Sequence, residues 1–503
     1  MEYDCIIIGA GIGGLLAAFC LSQEGRKVIV LEAQPVVGGY ASAFTRRGFT
    51  FESSLHCVGG MGKEGDMRKF LEEQGLAQDL EFIEPKEFCR IIYPENDFIL
   101  DFSSSHRADH LKEYFPSQRS NIDGFFKAVD GFVREFDAFG EMRLPQWSLP
   151  LAMPFFFRNL MRASNLTAQE FIQRYTKDEK LASVLTDFWG FAGLPPARLS
   201  ALYFLLVFQS YYFGSVAQIK GGFSRLLDVV AKRIQAAGGK IQFNTKVARI
   251  LTQGQGKVSG VMTVRQEEFK ARAVISNANA FDTLGEFLDD GALRQKYRQK
   301  LARYEKSISG FQVYLGLKVP TRALGMTHPM CIVNPSYGHE EQFSYNLQGD
   351  YDRCPFILTD HSLLDPALVP PGKGSLLIIV LDTYSHWKGL DKEAYKAKKQ
   401  SVATKFIQRA ERYLPGLSGN IEVMEAASPL TMERYTGSPE GALYGFAQTL
   451  NQSGAKRLPQ ETAIKGLFLA GAWTFPGGGV NSCFWSGCMA AELAAKFLKA
   501  SSK

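Results

Sequence analysis

Residues 3–32 read YDCIIIGAGIGGLLAAFCLSQEGRKVIVLE. The apolar runs at 3–8 and 27–31 predict two buried parallel strands, and residues 15–23 predict a helix between them. The pattern G-x-G-x-x-G lies between the first strand and the helix, where a dinucleotide-binding βαβ unit carries it. The sequence therefore predicts an α/β, Rossmann-like nucleotide-binding fold.

Each of the glycines and the acid of this unit has its own structural role. Gly9 permits a tight turn, Gly11 lets the backbone approach a pyrophosphate, and Gly14 lets the helix pack against the strand. The helix N-terminus offers N–H groups to phosphates, and the acid that ends the second strand can accept hydrogen bonds from ribose hydroxyls. The predicted nucleotide contacts in this unit are Gly9, Gly11, Gly13, Gly14, Glu32 and Ala33.

Two further glycine-rich segments favour FAD over NAD as the nucleotide. A glycine pair follows the βαβ unit after five residues and lets the chain pass the dinucleotide a second time. Residues 466–490, GLFLAGAWTFPGGGVNSCFWSGCMA, predict a strand, a glycine loop and a helix. Backbone amides of such a loop can contact a flavin ring or ribityl chain. The predicted contacts here are Gly38, Gly39, Tyr40, Gly471, Ala472, Gly478, Gly479 and Val480.

Five sequence blocks resemble the FAD-dependent family of bacterial phytoene desaturases, carotenoid isomerases and all-trans-retinol saturases, which is related to the amine oxidases. The blocks lie at 3–40, 48–56, 220–277, 428–435 and 466–490. The resemblance implies an FAD cofactor, with the backbone near Val247 approaching the adenine. It also implies a lipophilic polyene or isoprenoid substrate, of carotenoid or retinoid type. Saturation, desaturation and cis–trans isomerisation of its C–C bonds all remain open.

The positions of these blocks predict a discontinuous FAD-binding domain of the GR2 type with an inserted substrate domain of mixed α and β structure. A chain of 503 residues is too long for one compact core. The FAD-binding domain is assigned to 1–70, 216–285 and 415–503. The insertions 71–215 and 286–414, which are rich in Phe, Tyr and Leu, are assigned to the substrate domain.

Few side chains are candidates for proton transfer. His56 follows strand-like residues at a position that faces the substrate in the resembling family, and the local sequence S-L-H-C is most similar to the saturase branch. Glu52 lies nearby in sequence, either as a proton carrier or as a hydrogen-bond partner. Tyr435 follows a loop that lines the pocket in the resembling family. These three residues are the predicted catalytic set, with a structural role open for each.

Composition bears on partners and excludes several function classes. The net charge of +6 is modest, and no dense Lys/Arg run with interleaved aromatic residues indicates nucleic-acid binding. The eight cysteines show neither a C-x-x-C pair nor zinc spacing, which indicates reduced cytosolic thiols and no metal. No second G-x-G-x-x-G follows a strand, so we expect an external electron donor or acceptor in place of a built-in NAD(P) domain.

Two apolar segments bear on membrane contact. Residues 199–219 carry no charge, but polar residues interrupt them, so we interpret them as a buried pocket helix and not a membrane span. Residues 144–162, LPQWSLPLAMPFFFRNLMR, contain three prolines and many aromatic residues close to arginines. This composition suits a segment lying in the membrane interface and equally a lid on the protein core. We expect a cytoplasmic protein at the membrane surface.

Two other function classes stay open. A flavin amine oxidase would act on a polar amine, and the apolar composition of 144–213 argues against it. A non-redox carrier of prenylated or lipidic ligands would keep the fold without redox chemistry. The intact PGGGV sequence at 476–480 and His56 argue for a working flavin.

Overall fold

The computed structural model of the chain describes residues 2–100, 107–141, 155–254 and 256–501. The strands are β1 (Glu2–Ile8), β2 (Val28–Leu31), β3 (Ala43–Arg46), β4 (Phe49–Glu52), β5 (Val58–Gly59), β6 (Phe82–Ile83), β7 (Cys89–Ile92), β8 (Asp97–Leu100), β9 (Val216–Ile219), β10 (Lys240–Gln242), β11 (Val247–Gln253), β12 (Lys257–Thr263), β13 (Glu268–Ser276), β14 (Ser309–Leu317), β15 (Met330–Val333), β16 (Phe356–Thr359), β17 (Gly374–Asp382), β18 (Ile421–Ala427) and β19 (Leu467–Leu469). The helices are α1 (Ile12–Gln23), α2 (Asp66–Glu73), α3 (Arg107–Tyr114), α4 (Arg119–Glu141), α5 (Arg158–Ser164), α6 (Ala168–Ile172), α7 (Glu179–Thr186), α8 (Ala201–Tyr212), α9 (Ser224–Ala236), α10 (Ala280–Gly285), α11 (Gly291–Leu301), α12 (His339–Gln348), α13 (Lys392–Glu411), α14 (Pro429–Thr436) and α15 (Val480–Ala500).

The first sheet contains the predicted βαβ unit. Its order is β10–β2–β1–β13–β12–β11, and β19 also pairs with β13. Strand β1 is parallel to both β2 and β13, while β11 and β12 pair in the antiparallel sense. Because β1 lies between β2 and β13, the chain connections diverge at its carboxyl end, which is where open α/β sheets bind ligands. The predicted α/β, Rossmann-like fold is confirmed.

Helices cover both faces of the first sheet. On one face α1, α9 and α15 bury side chains such as Leu15, Leu227 and Ala491, and on the other face α10 and α11 bury Leu284 and Leu301. Ten of the twelve residues of α1 are buried, because α1 is covered by the sheet on one side and by its neighbouring helices on others. This double cover explains why α1 is apolar around most of its circumference.

The second sheet has the order β18–β14–β17–β16–β15–β7–β8, and only the β15–β7 pair is parallel. All nine residues of its strand β14 are buried. Strand β18 pairs with β14, so residues 421–427 belong to this sheet, although the sequence analysis placed them with the FAD-binding part. The division into two domains otherwise stays a prediction.

The two segments considered for membrane contact have different outcomes. Residues 201–212 form α8, which is largely buried, and residues 216–219 leave the helix and form β9. Within the described ranges, no helix is both long and apolar enough to cross a membrane. Of the predicted interface segment 144–162, residues 144–154 lie outside the described part of the chain. Phe155 and Phe156 are described and strongly exposed.

Candidate functional site

A cavity of about 1540 Å³ extends from the glycine turn after β1 to the second sheet. Pockets for one small ligand usually have volumes of about 300–1,000 Å³. This cavity therefore has room for a dinucleotide and a substrate together. Of the predicted nucleotide contacts, those that line it are Gly9, Gly11, Gly13, Glu32, Ala33, Gly38, Gly39, Tyr40, Val247, Gly471, Ala472, Gly478, Gly479 and Val480.

Gly14 is the predicted contact that does not line the cavity. A Cβ atom there would lie 2.0 Å from the carbonyl oxygen of Gly9, so only glycine lets α1 start this close to the turn. A Cβ atom at Gly13 would lie 2.7 Å from Asn277 Oδ1. The turn itself requires glycine, because Gly9 has a φ of +90°. Because these glycines carry no side chains, the backbone at the start of α1 can approach a pyrophosphate, with the side chain of Asn277 alongside it.

Two backbone amides hold the Glu32 carboxylate in place. Its Oε2 accepts a hydrogen bond from the Ala10 amide at 2.6 Å, and its Oε1 accepts one from the Gln34 amide at 2.8 Å. Each carboxylate oxygen keeps a second lone pair for a ribose hydroxyl. Burial raises the pKa of Glu32 above its ordinary value. Together with the glycine turn, this donor and acceptor set fits FAD, although the individual contacts stay predictions.

The second glycine loop lies at the N-terminus of α15. Gly479 has a φ of +84°, and a Cβ atom at Gly478 would lie 2.4 Å from Tyr444 Cα. The hydroxyl of Tyr203 donates to the Gly478 carbonyl, and the hydroxyl of Tyr444 donates to the Gly190 carbonyl at 3.0 Å. These two tyrosines, which the sequence analysis did not find, fix the loop against the aromatic part of the cavity.

His56 lines the cavity and stacks on Phe191, with ring centroids 4.3 Å apart. Its Nδ1 lies 2.8 Å from the Cys57 carbonyl oxygen. Because a carbonyl oxygen can only accept, we assign the proton of the neutral ring to Nδ1. Burial lowers the pKa of His56 to about 4, so the ring is neutral at pH 7. The other nitrogen, Nε2, then carries the lone pair that can take a proton.

Glu52 does not line the cavity, whereas the proton-carrying role considered for it would require its carboxyl to reach the substrate. Its Oε1 accepts a hydrogen bond from the Phe223 amide at 2.6 Å, at the start of α9, and its Oε2 has no partner among the described residues. Burial raises the pKa of Glu52 to about 7. The geometry favours the other role considered, that of a buried hydrogen-bond partner.

Tyr435 lines the cavity but is 57% exposed. It lies near the end of α14, with the Arg434 guanidinium 5.5 Å from its ring centroid. This exposure places the phenol at an open edge of the cavity. The structure describes no hydrogen bond that joins it to His56.

The rest of the cavity is mainly apolar and includes a buried acid that the sequence analysis missed. Its apolar lining residues are Val133, Phe136, Phe139, Leu206, Val207, Phe213, Ile332, Phe356, Ile357, Ile379 and Leu381. Asp187 also lines the cavity and is buried, with a pKa that burial raises to about 7. The signal was present in residues 181–194, where Asp187 is the single charge in an apolar, aromatic run.

Among the described residues, no group of three or more His, Cys, Asp or Glu side chains is placed to hold a metal ion.

Comparisons with known proteins agree with this geometry. The sequence profile of the family described as flavin containing amine oxidoreductase matches residues 12–495. The chain is 28% identical to the chloroplastic prolycopene isomerase of Daucus carota, over 98% of this chain and 80% of that protein. It is 26% identical to the all-trans-retinol 13,14-reductase of Danio rerio, over 93% and 82%.

Two further matches extend the comparison. The chain is 26% identical to the neurosporene-forming phytoene desaturase of Rhodobacter capsulatus, over 97% of this chain and 93% of that protein. The solved structure of an oxidoreductase from Methanosarcina mazei superposes with a TM-score of 0.65 and 19% identity, covering 98% of this chain and 100% of that one. The structural match concerns the fold alone.

Proposed function

Since this chain belongs to the flavin-containing amine oxidoreductase family, we propose that it acts on C–C double or single bonds of a lipophilic polyene or isoprenoid. Membership confirms the suspected family, the predicted FAD cofactor and the predicted class, an FAD-dependent oxidoreductase. The reaction is a saturation, a desaturation or a cis–trans isomerisation. The names of the relatives support all three, since they include an isomerase, a reductase and a desaturase.

One observation supports this substrate class above the others. The cavity continues from the nucleotide-binding turns into a region lined by aromatic and aliphatic side chains on α4, α8 and the second sheet. Burying apolar ligand surface against such a lining contributes about 25 cal/mol of binding free energy for each Å² removed from water. A small polar amine would gain little there, whereas a long hydrocarbon chain would bury most of its length.

The residues of the chain divide the work as follows. FAD, when bound, supplies the redox step, a hydride given to or taken from a substrate carbon. The N-terminus of α1 and Glu32 would hold its pyrophosphate and ribose. In a desaturation, which removes one hydride and one proton from the substrate, His56 would accept the proton at Nε2, because its ring is neutral and its Nδ1–H is committed to the Cys57 carbonyl. The apolar walls exclude water from the reacting carbons.

Product mass separates the three reactions. The FAD-loaded enzyme is incubated with a cis-polyene and with an all-trans polyene, once with a reductant such as dithionite and once with an electron acceptor such as a quinone. The products are resolved by chromatography and mass spectrometry. Saturation adds two hydrogens, desaturation removes two, and isomerisation leaves the mass unchanged while the retention time shifts. If every polyene is recovered unchanged while an amine is oxidised, the amine-oxidase alternative replaces this proposal.

We also propose that the protein takes its substrate from a membrane surface and exchanges electrons with an external partner. Phe155 and Phe156 are 72% and 70% exposed, and the next residue, Phe157, packs on Phe139 with ring centroids 5.4 Å apart. Since Phe139 lines the cavity, the exposed pair lies beside the cavity wall. The exposed Arg162 on the following helix suits an anionic headgroup region. These exposed residues support a peripheral attachment to a membrane surface, and the cytoplasmic location stays a prediction.

A further inference from the structure

Asp187 is a buried acid whose hydrogen-bonding capacity is only half used. It begins the short turn Asp187–Phe191, it lines the cavity, and it is 4% exposed. Its Oδ1 accepts hydrogen bonds from the Tyr93 hydroxyl at 3.1 Å and from the Asn334 side-chain amide at 2.9 Å. Its Oδ2 is equally buried and has no hydrogen-bond partner among the described residues.

The surroundings make this free oxygen costly. Asp187 is followed by Phe188 and Trp189, which belong to the largest aromatic core cluster of the described chain. A buried carboxyl oxygen without a partner in such surroundings loses its hydration and gains nothing in return. The same turn ends in Phe191, on which His56 stacks, so Asp187 and His56 belong to one region of the cavity wall.

The chemistry of the carboxyl selects the ligand group that would satisfy it. Burial raises the pKa of Asp187 to about 7, so both its ionised and its protonated form are populated near neutral pH. With both described donors on Oδ1, the proton of the neutral form belongs on Oδ2. A hydroxyl group can donate to the ionised oxygen and can accept from the protonated one. An ether or carbonyl oxygen can hydrogen-bond only to the protonated form, and a hydrocarbon can hydrogen-bond to neither form.

We propose that Asp187 Oδ2 binds the hydroxyl group of a polyene alcohol and so selects hydroxylated substrates over hydrocarbons. The inference rests on the proposed function, because it names the end group of the substrate for which the apolar cavity is suited. The hydrogen bonds from Asn334 and Tyr93 occupy Oδ1 and leave Oδ2 without a donor among the described residues.

Two variants separate ligand binding from a structural role. In Asp187→Asn, the side-chain oxygen keeps the two donors, and an N–H donor replaces Oδ2. This donor can bind an ether oxygen but can no longer accept from a hydroxyl. In the matched control Tyr93→Phe, one donor to Oδ1 is lost and Oδ2 is untouched. If Asp187 served only to stabilise the fold, both variants would change the relative affinities for alcohol and ether to the same extent.

The measurement is the dissociation constant of all-trans-retinol, of its methyl ether and of the corresponding hydrocarbon. Each is titrated anaerobically into the FAD-loaded enzyme, and binding is followed by flavin absorbance and tryptophan fluorescence, so that no turnover is needed. At pH 9, about two units above the pKa of Asp187, the carboxyl is ionised and cannot donate to an ether. There we expect the wild type to bind the alcohol at least about tenfold more tightly than the ether, because one hydrogen bond to a charged group has about that effect. Asp187→Asn is expected to bring the ratio to about one, and Tyr93→Phe to change it less than about threefold.

The outcomes distinguish this inference from the proposed function. Equal affinities of alcohol, ether and hydrocarbon for the wild type would leave the polyene function standing and overturn the role of Asp187. An equal loss of preference in Asp187→Asn and Tyr93→Phe would also overturn it, because the effect would then be structural. If none of the three probes and no longer polyene binds, the polyene function itself fails.

Discussion

Replacing Glu52 by glutamine tests how burial governs the stability of the connection between β4 and α9. Burial raises the pKa of this carboxyl from 4.5 to about 7, with the Phe223 amide as its donor. The folded state therefore binds more protons than the unfolded state between these two values. The contribution of Glu52 to the free energy of unfolding is fully present below pH 4.5 and is lost as the pH rises through 7. At 1.36 kcal/mol per pKa unit, the loss amounts to about 3 kcal/mol.

Glu52→Gln keeps an oxygen for the Phe223 amide and removes the titration. We measure the melting temperatures of Glu52→Gln and of the wild type with excess FAD. The value for Glu52→Gln minus that for the wild type should increase by a few degrees from pH 4.5 to pH 7.5. The control is Glu425→Gln, whose side chain is 44% exposed in its ion pair with Arg46 and which should follow the wild type at every pH. If the wild-type and Glu52→Gln curves run parallel over this range, the burial argument is refuted.

Three further results are expected. Gly14→Ala should lose bound flavin, measured by absorbance, and at least about 2 kcal/mol of stability, measured by melting temperature, because its Cβ atom would lie 2.0 Å from a backbone oxygen. The control Gly419→Ala has open space around its Cβ atom and should keep both the flavin and the stability. His56→Gln should keep its flavin but lower polyene turnover by about 10²–10⁴-fold, and unchanged turnover would remove His56 from the mechanism. Replacing Phe155 and Phe156 by serine should reduce sedimentation with anionic vesicles at least about tenfold without changing the melting temperature; undiminished binding would contradict the membrane proposal.

The nucleotide-binding half of the fold could be predicted because its determinants are local. Strand, turn, helix and acid follow one another within residues 2–32, so apolar periodicity and glycine spacing were sufficient. The strand, glycine loop and helix predicted within 466–490 are present, and the helix begins at Val480. The helix α1 begins at Ile12, three residues earlier than the apolar pattern indicated, because the glycines of the turn already form its first turn.

The substrate end of the cavity depends on contacts between distant parts of the chain, which a single sequence does not reveal. Asp187 meets Asn334 across 147 residues, and His361 contacts the Leu55 carbonyl across 306 residues. Glu52 was grouped with His56 because the two are close in sequence, but its carboxyl points to Phe223, 171 residues away. For the same reason β18 could not be assigned to the second sheet, since its partner β14 lies far from it along the chain.

The most direct test of the polyene function is the visible spectrum of the flavin under anaerobic conditions. The enzyme is reduced with a stoichiometric amount of dithionite, and a panel of polyenes and amines is added one at a time, first to the reduced and then to the oxidised protein. We predict that a polyene reoxidises the reduced flavin, bleaches the oxidised flavin, or is isomerised only while the flavin is reduced. Bleaching of the oxidised flavin by an amine, with no response to any polyene, would contradict the proposed function.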